Sequence, residues 1–184
     1  CIRTSRFVTE VWILPVFFLV GDIGGTNTRL ALFEGSSLVQ IEHYRNQEMG
    51  SLEACLEDFN TRHGRVITAA VFGAAGPVEQ GQIKMTNLNW SLDQTDLSAH
   101  LGVPVRLLND FHIQALGTLP LCSTDYESLG NARVVDPEKL AVIGAGTGLG
   151  EAILTRSEGE WVVIPGEGGH KRFAPKNERE INLL

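Results

Sequence analysis

Short apolar runs separated by glycine-marked turns set the layout of the chain. Residues 16–20 form a continuous apolar run suited to a buried strand and residues 30–33 form another, so the polar stretch 21–29 belongs at a turn. A third strand over 38–44 completes a predicted antiparallel meander of 16–20, 29–33 and 38–44. The period then changes. Leu52, Cys55, Leu56 and Phe59 recur at i, i+3, i+4 and i+7, with Ser51 placed to cap a helix and Gly64 to stop it. Residues 66–72 are largely apolar with β-branched members, the pattern of a central strand covered on both faces.

Beyond that strand, the small-residue loop 73–78 and a short strand over 82–86 lead into Asn87-Leu88-Asn89-Trp90. Ser91 and Gln94 have capping-box spacing ahead of an apolar face at Leu97 and Leu101, and Gly102 with Pro104 closes that helix. Residues 105–108 predict another buried strand, which delivers Asn109-Asp110 at its carboxyl end, where open α/β sheets present functional side chains. Phe111, Ala115 and Leu119 continue as a helix ended by Pro120. Residues 121–138 carry no sustained apolar period and read as a crossing between lobes. After them come a second strand, turn and strand over 141–154, a strand over 160–164, the turn 165–170 and a helix starting near Asn177.

Composition narrows the classes. The 184 residues suffice for one ordinary domain or two small ones. A formal net charge of −7, with no basic run interleaved with aromatics, argues against a nucleic-acid surface. Cys1, Cys55 and Cys122 show neither C-x-x-C nor metal-ligand spacing, so a reducing, cytoplasmic setting is expected in place of a disulfide framework or a structural zinc. The apolar start over 11–20 is about half the length of a membrane-spanning helix, has Glu10 at its edge and is divided by Pro15. No small-residue cleavage site follows it. Residues 1–15 are therefore read as a leader or cloning remnant, with no membrane role expected.

Two turns carry candidate chemistry. In the first, Gly24 and Gly25 allow the backbone to approach a ligand, Thr26 adds a hydroxyl, and Asp22 at the end of the first strand suits a Mg²⁺ ion, directly or through water. The alternative is a tight hairpin whose glycines serve geometry alone. Residues 141–154 repeat the layout around Gly144, Gly146, Thr147, Gly148 and Gly150, and two such hairpins facing each other would clamp a nucleotide's phosphates. No Lys-Ser or Lys-Thr follows Gly150, and the glycine spacing is not that of a dinucleotide fold. Asp110 is the candidate general base, or else only a helix cap. Glu167 and His170, in a glycine-rich turn, are candidates to converge on one ligand, or else a solvated charge and a hydrogen-bonded loop histidine. His43, His63, His100 and His112 carry no partner pattern and are assigned structural roles.

In combination and in order, residues 21–29, Met85-Thr86-Asn87 with Trp90, Asn109-Asp110-Phe111, residues 144–150, residues 165–170 and Phe173-Ala174-Pro175 make the chain resemble the bacterial glucokinases of the hexokinase, actin-like and sugar-kinase superfamily. The resemblance covers roughly residues 16–184. It implies an α/β, actin-like ATPase (ribonuclease H-like) fold: a small lobe over 16–120, and over 121–184 the start of a larger lobe, incomplete at its end. It further implies ATP-dependent phosphorylation of glucose at the 6-hydroxyl, with Asp110 as base. Asn87, Asn109, Asp110, Glu167 and His170 would bind the sugar; Asp22, Gly24, Gly25, Thr26, Asn27, Gly146, Thr147 and Gly148 would serve ATP, with Asp22 near Mg²⁺. Glucose and ATP are the implied partners, and a homodimer is compatible with them. No cysteine-rich zinc motif follows His170, unlike many members of the related repressor, open-reading-frame and kinase family.

Three other readings stand beside this one: a kinase for another hexose, a catalytically incompetent sugar-binding fragment, and a sugar-responsive transcription regulator. The regulator fits poorly, because a DNA-binding module needs more residues than precede the first strand. The fragment reading predicts little or no kinase activity from this chain alone.

Overall fold

The computed structural model describes residues 16–85, 88–130, 137–145, 149–166, 168–170 and 174–182, with the side chain of His170 outside that description. The predicted meander is present as β1 (Phe17–Ile23), β2 (Asn27–Glu34) and β3 (Ser37–Arg45). Each strand runs a few residues past its apolar core, because ladder hydrogen bonding extends to the turns. A one-turn helix, α1 (Asn46–Met49), follows without a sequence signal and leads to α2 (Leu52–His63). Helix α2 begins and ends as its caps predict: Ser51 accepts from the Ala54 amide at 3.2 Å, and Gly64 takes φ 44° in the left-handed region.

Strand β4 (Ile67–Ala74) pairs parallel with β1, and strand β7 (Val105–Asn109) pairs parallel with β4, completing a five-stranded sheet of order β3-β2-β1-β4-β7. Between them lie β5 (Gln82–Lys84), β6 (Ser91–Asp93) and helix α3 (Gln94–Leu101). The predicted Ser91 capping box is corrected here. Ser91 lies in β6, and Asp93 is the cap, accepting from the Thr95 and Asp96 amides at 2.7 and 3.2 Å. The Gln94 side chain instead accepts from the Leu107 amide at 3.2 Å, satisfying an edge-strand donor of β7.

One face of this sheet carries the larger core. Leu19, Ile23, Leu30, Leu32 and Phe72 meet Leu52, Cys55, Leu56 and Phe59 of α2, all buried in one cluster. Burial also pushes the Cys55 thiol up to about 11. On the opposite face, α4 (Asp110–Gly117) covers only the β4–β7 end, with Ile113 against Gly73.

The second sheet is the antiparallel ladder β10-β9-β8, formed by β8 (Lys139–Ala145), β9 (Leu149–Ser157) and β10 (Glu160–Gly166). Helix α4 supplies its cover as well: Ala115 clusters with Ala152, Leu154 and Val163, with Phe111, Leu116 and Leu119 packed alongside. A 3-10 turn, Gly168–His170, and a single-turn helix α5 (Glu178–Ile181) follow. The described parts of the predicted crossing, 121–130 and 137–138, contain neither helix nor strand. No helix among the described residues is long and apolar enough to cross a membrane.

Candidate active site

Parallel pairing gathers the candidate residues at one end of the first sheet. Strands β1, β4 and β7 point the same way, and their last residues align as Ile23, Ala74 and Asn109. The first glycine turn leaves β1 there, the small-residue loop leaves β4, and Asn109-Asp110 leaves β7. Two strand spacings, roughly 10 Å, separate the first turn from Asn109.

The first turn is held from a distance. Gly24 donates to the Asn27 carbonyl at 2.9 Å. Buried Asn46 donates to the Gly24 carbonyl at 2.8 Å, accepts from the Thr28 hydroxyl at 2.8 Å, and sends its own amide to the Thr26 carbonyl at 3.0 Å. The amides of Gly25 and Thr26 make no hydrogen bond among the described residues, and the Thr26 side chain is exposed. Thr26, Asn27, Arg45, Gln47 and Glu48 line a cavity of about 380 Å³ beside them, where Arg45 already meets Glu48 at 3.7 Å. The free amides and the hydroxyl are the groups that suit an anion. Asp22 is 57% exposed and meets Arg29 at 3.5 Å, a loose ion pair. A carboxylate so accessible, beside a phosphate-type turn, fits a Mg²⁺ ion that keeps most of its water. Among the described residues no cluster of three or more ligating side chains exists, so that ion would depend on the nucleotide for its other ligands.

Asn109 and Asp110 divide two tasks. The capping alternative considered for Asp110 belongs to Asn109, whose side-chain oxygen accepts from the Phe111 and His112 amides at 2.9 and 3.1 Å. Its amide nitrogen donates to the Gly76 carbonyl at 3.0 Å, which ties the β4 loop to β7 and leaves one N–H for a ligand. Asp110 anchors one carboxylate oxygen on the Phe111 amide at 2.7 Å. Its other oxygen makes no hydrogen bond or ion pair among the described residues.

Phe111 brings in the second hairpin. Gly144 and Gly150 pair across β8 and β9, and the Phe111 ring lies directly on them. A Cβ on Gly144 would lie 2.7 Å from Phe111 Cε2, and one on Gly150 would overlap the ring. These glycines, grouped by sequence with a phosphate turn, serve close packing that holds the start of α4 against β8 and β9. The tip residues Gly146, Thr147 and Gly148 lie outside the described residues, as do Asn87 and Glu167.

The turn after β10 is fixed by a residue without a sequence signature. Glu151 accepts from the Gly168 amide at 2.7 Å, and a Cβ on Gly166 or Gly168 would collide with its carboxylate. Gly166, Gly168 and Gly169 thereby lie close against β9. Between that turn and the first sheet is an open cavity of about 580 Å³, lined by Pro77 and Val78, by Arg106 and Asn109, by His112 and by Pro165. Asn109 at the end of β7 and Pro165 in β10 both line it. His112, assigned a structural role by sequence, is part of its wall; burial lowers the imidazole below its usual range, and the Arg106 guanidinium adds to the effect.

Known proteins with this arrangement share a description. A family model described as Glucokinase matches residues 19–184. The glucokinase of Caulobacter vibrioides is 38% identical over 172 residues, which cover 90% of this chain and 52% of the relative. The chain thus spans about half the length of the curated relatives it matches. Among solved structures, a glucokinase from an Antarctic psychrotroph superimposes with a TM-score of 0.74 at 28% identity, covering 91% of this chain and 55% of that one. A Balamuthia mandrillaris glucokinase solved in complex with glucose gives 0.69 at 21% identity, covering 95% and 55%, a likeness of fold. The α/β, actin-like sugar-kinase architecture is shared with these neighbours, and by the match over residues 19–184 the chain belongs to the glucokinase family.

Proposed function

We propose that the protein performs the glucokinase reaction, ATP-dependent phosphorylation of glucose at its 6-hydroxyl to give glucose 6-phosphate, with Asp110 as general base. The observation that carries this reading is the split carboxylate of Asp110, anchored at 2.7 Å through one oxygen and free at the other, at the mouth of β7. Phosphoryl transfer asks the protein mainly for positioning and charge compensation, with one base near the attacking oxygen. Asn109 positions Asp110 by capping α4, and its spare N–H is available to a sugar hydroxyl. The free amides of Gly25 and Thr26 would meet phosphate oxygens from one side, and the turn over 146–148 from the other. Asp22 would hold Mg²⁺ through its waters; when bound, that ion supplies neutralisation of charge on the phosphoryl oxygens. Glu167 and His170 would complete the sugar's hydrogen bonds from the turn that Glu151 fixes.

The Balamuthia relative's complex with glucose supports glucose as the acceptor, and a coupled assay over a hexose panel separates it from a kinase for another hexose. A second reading, sugar binding without turnover by this chain alone, is favoured by the uncovered apolar face of the second sheet, where Ile143, Ile153 and Ile164 are exposed. Both share the same binding residues. The deciding substitution is Asp110→Asn in a chain extended to the family's full length: kcat should fall by on the order of 10²–10⁴ while glucose affinity changes little. Near-normal turnover would remove Asp110 from the mechanism.

A further inference from the structure

Within the cavity of about 580 Å³, the charged side chains among the described lining residues are Arg106 and His112, both cationic when protonated. Neither makes an ion pair or a side-chain hydrogen bond with a described residue. In a chain whose formal net charge is −7, two adjacent basic groups facing one concave wall, with no carboxylate among its described lining residues, stand out. Gln94 lines the same wall. Its side-chain oxygen is occupied by the Leu107 amide at 3.2 Å, which fixes the carboxamide and leaves its NH₂ end as a third donor.

We propose that Arg106, His112 and Gln94 form an anion subsite that takes the phosphate group of a sugar phosphate monoester, with the sugar ring lying toward Asn109. Arg106 precedes Asn109 by three residues on β7, roughly 10 Å along an extended strand, which matches the reach of a phosphorylated six-carbon sugar. A guanidinium offers a phosphate two parallel N–H donors, and imidazolium and amide donors add hydrogen bonds of the charge-assisted kind. Burial and Arg106 both disfavour the protonated imidazole in the empty cavity, and a bound dianion offsets both effects. The subsite stands on the placement of these three donors; the choice of a sugar phosphate over free phosphate rests on the glucokinase reading above.

The test is calorimetric titration of the 184-residue chain with glucose, glucose 6-phosphate, glucose 1-phosphate and inorganic phosphate, with the His112 ring followed by NMR. At least one sugar phosphate should bind about tenfold or more tightly than both glucose and inorganic phosphate, and its binding should raise the His112 pKa. Arg106→Gln should abolish that preference and Arg106→Lys should restore part of it. Should Arg106→Gln fail to fold, His112→Asn carries the same expectation. Sugar phosphates binding no more tightly than glucose, an unmoved His112 titration, or a preference that survives these substitutions would each overturn the proposal. Inorganic phosphate binding as tightly as the sugar phosphates would overturn the sugar-phosphate assignment. Glucose itself reports separately: a chain that takes a sugar phosphate through Arg106 but binds no glucose contradicts the glucose-kinase reading and leaves the anion subsite intact.

Discussion

The two sheets are built from the same kind of strand and end in different states of burial. The first has α2 across one face and buries Ile23, Leu30, Leu32 and Phe72 almost completely. Among the described residues the second has α4, which it shares with the first sheet, as its one helical cover, and its buried cluster is Ala115, Ala152, Leu154 and Val163. On its other face Ile143, Ile153, Val162 and Ile164 are between 43% and 70% exposed. Strands apolar on both faces are the pattern of a sheet covered twice; the described chain leaves most of one face of the second sheet open, and in the first the shortfall is confined to the β1–β3 side, where Phe18, Leu38, Val39 and Ile41 are 37% to 53% exposed. Burial belongs to the layer laid on a strand as much as to the strand.

The largest expected effects compare the two cores directly. Phe72→Ala removes a ring with 0% exposure from a cluster locked between α2 and the sheet, and should cost about 3–5 kcal/mol in urea unfolding. Leu154→Ala empties a position just as buried, but in a small cluster beside an open face that can relax; about 2–3 kcal/mol is expected, at the low end for such truncations. Equal losses at the two positions would mean that the second sheet is as rigidly packed as the first.

The open face makes a second difference measurable. Ile153 and Ile164 are register partners on this face and Ile143 is exposed on the adjoining strand, so apolar surface gathers there, a feature of association sites. The 184-residue chain should therefore self-associate at micromolar concentration, and the double substitution Ile143→Lys with Ile164→Lys should shift light scattering toward the monomer. The same charges should alter stability little, because both side chains already face solvent. Monomeric behaviour of the unsubstituted chain would show that exposure here has no consequence for assembly.

What was legible in the sequence follows the range of the interaction. The meander, α2 and its two caps were readable because periodicity, Ser51 and Gly64 act within a turn or a ladder step of themselves. Ser91 was misassigned because Gln94 answers to Leu107 on β7, a partner 13 residues away that outcompetes a local box. Asn46 had no signal at all: its partners Thr28 and Gly24 lie 18 and 22 residues away, and only the folded meander makes one buried amide the lock of the first turn. Of the candidate site, the Asn-Asp pair at a strand end and the first glycine turn were found where expected. The division of labour between Asn109 and Asp110, the Phe111 ring on Gly144 and Gly150, and the part of His112 in the cavity wall all depend on packing between sheets, which no spacing within one element encodes.

The smallest expected effect sharpens the contrast between the two regions most cleanly, because it holds the chemistry constant. Ser51 caps α2 and Asn177 caps α5, each through a side-chain oxygen on a backbone amide, at 3.2 and 2.9 Å. Behind Ser51, helix α2 buries Leu52, Cys55, Leu56 and Phe59, so fraying its first turn disturbs the core. Behind Asn177, helix α5 has four residues and buries none of them. A helix so short is marginal without packing, and its local opening exposes nothing that was hidden. Ser51→Ala should therefore lower global stability by about 1 kcal/mol. Asn177→Ala should leave the unfolding midpoint unchanged while speeding amide exchange at Glu180, whose N–H the cap holds. A midpoint shift from Asn177→Ala as large as that from Ser51→Ala would show that α5 is coupled to the rest of the fold and that this end of the chain is more tightly built than its burial indicates.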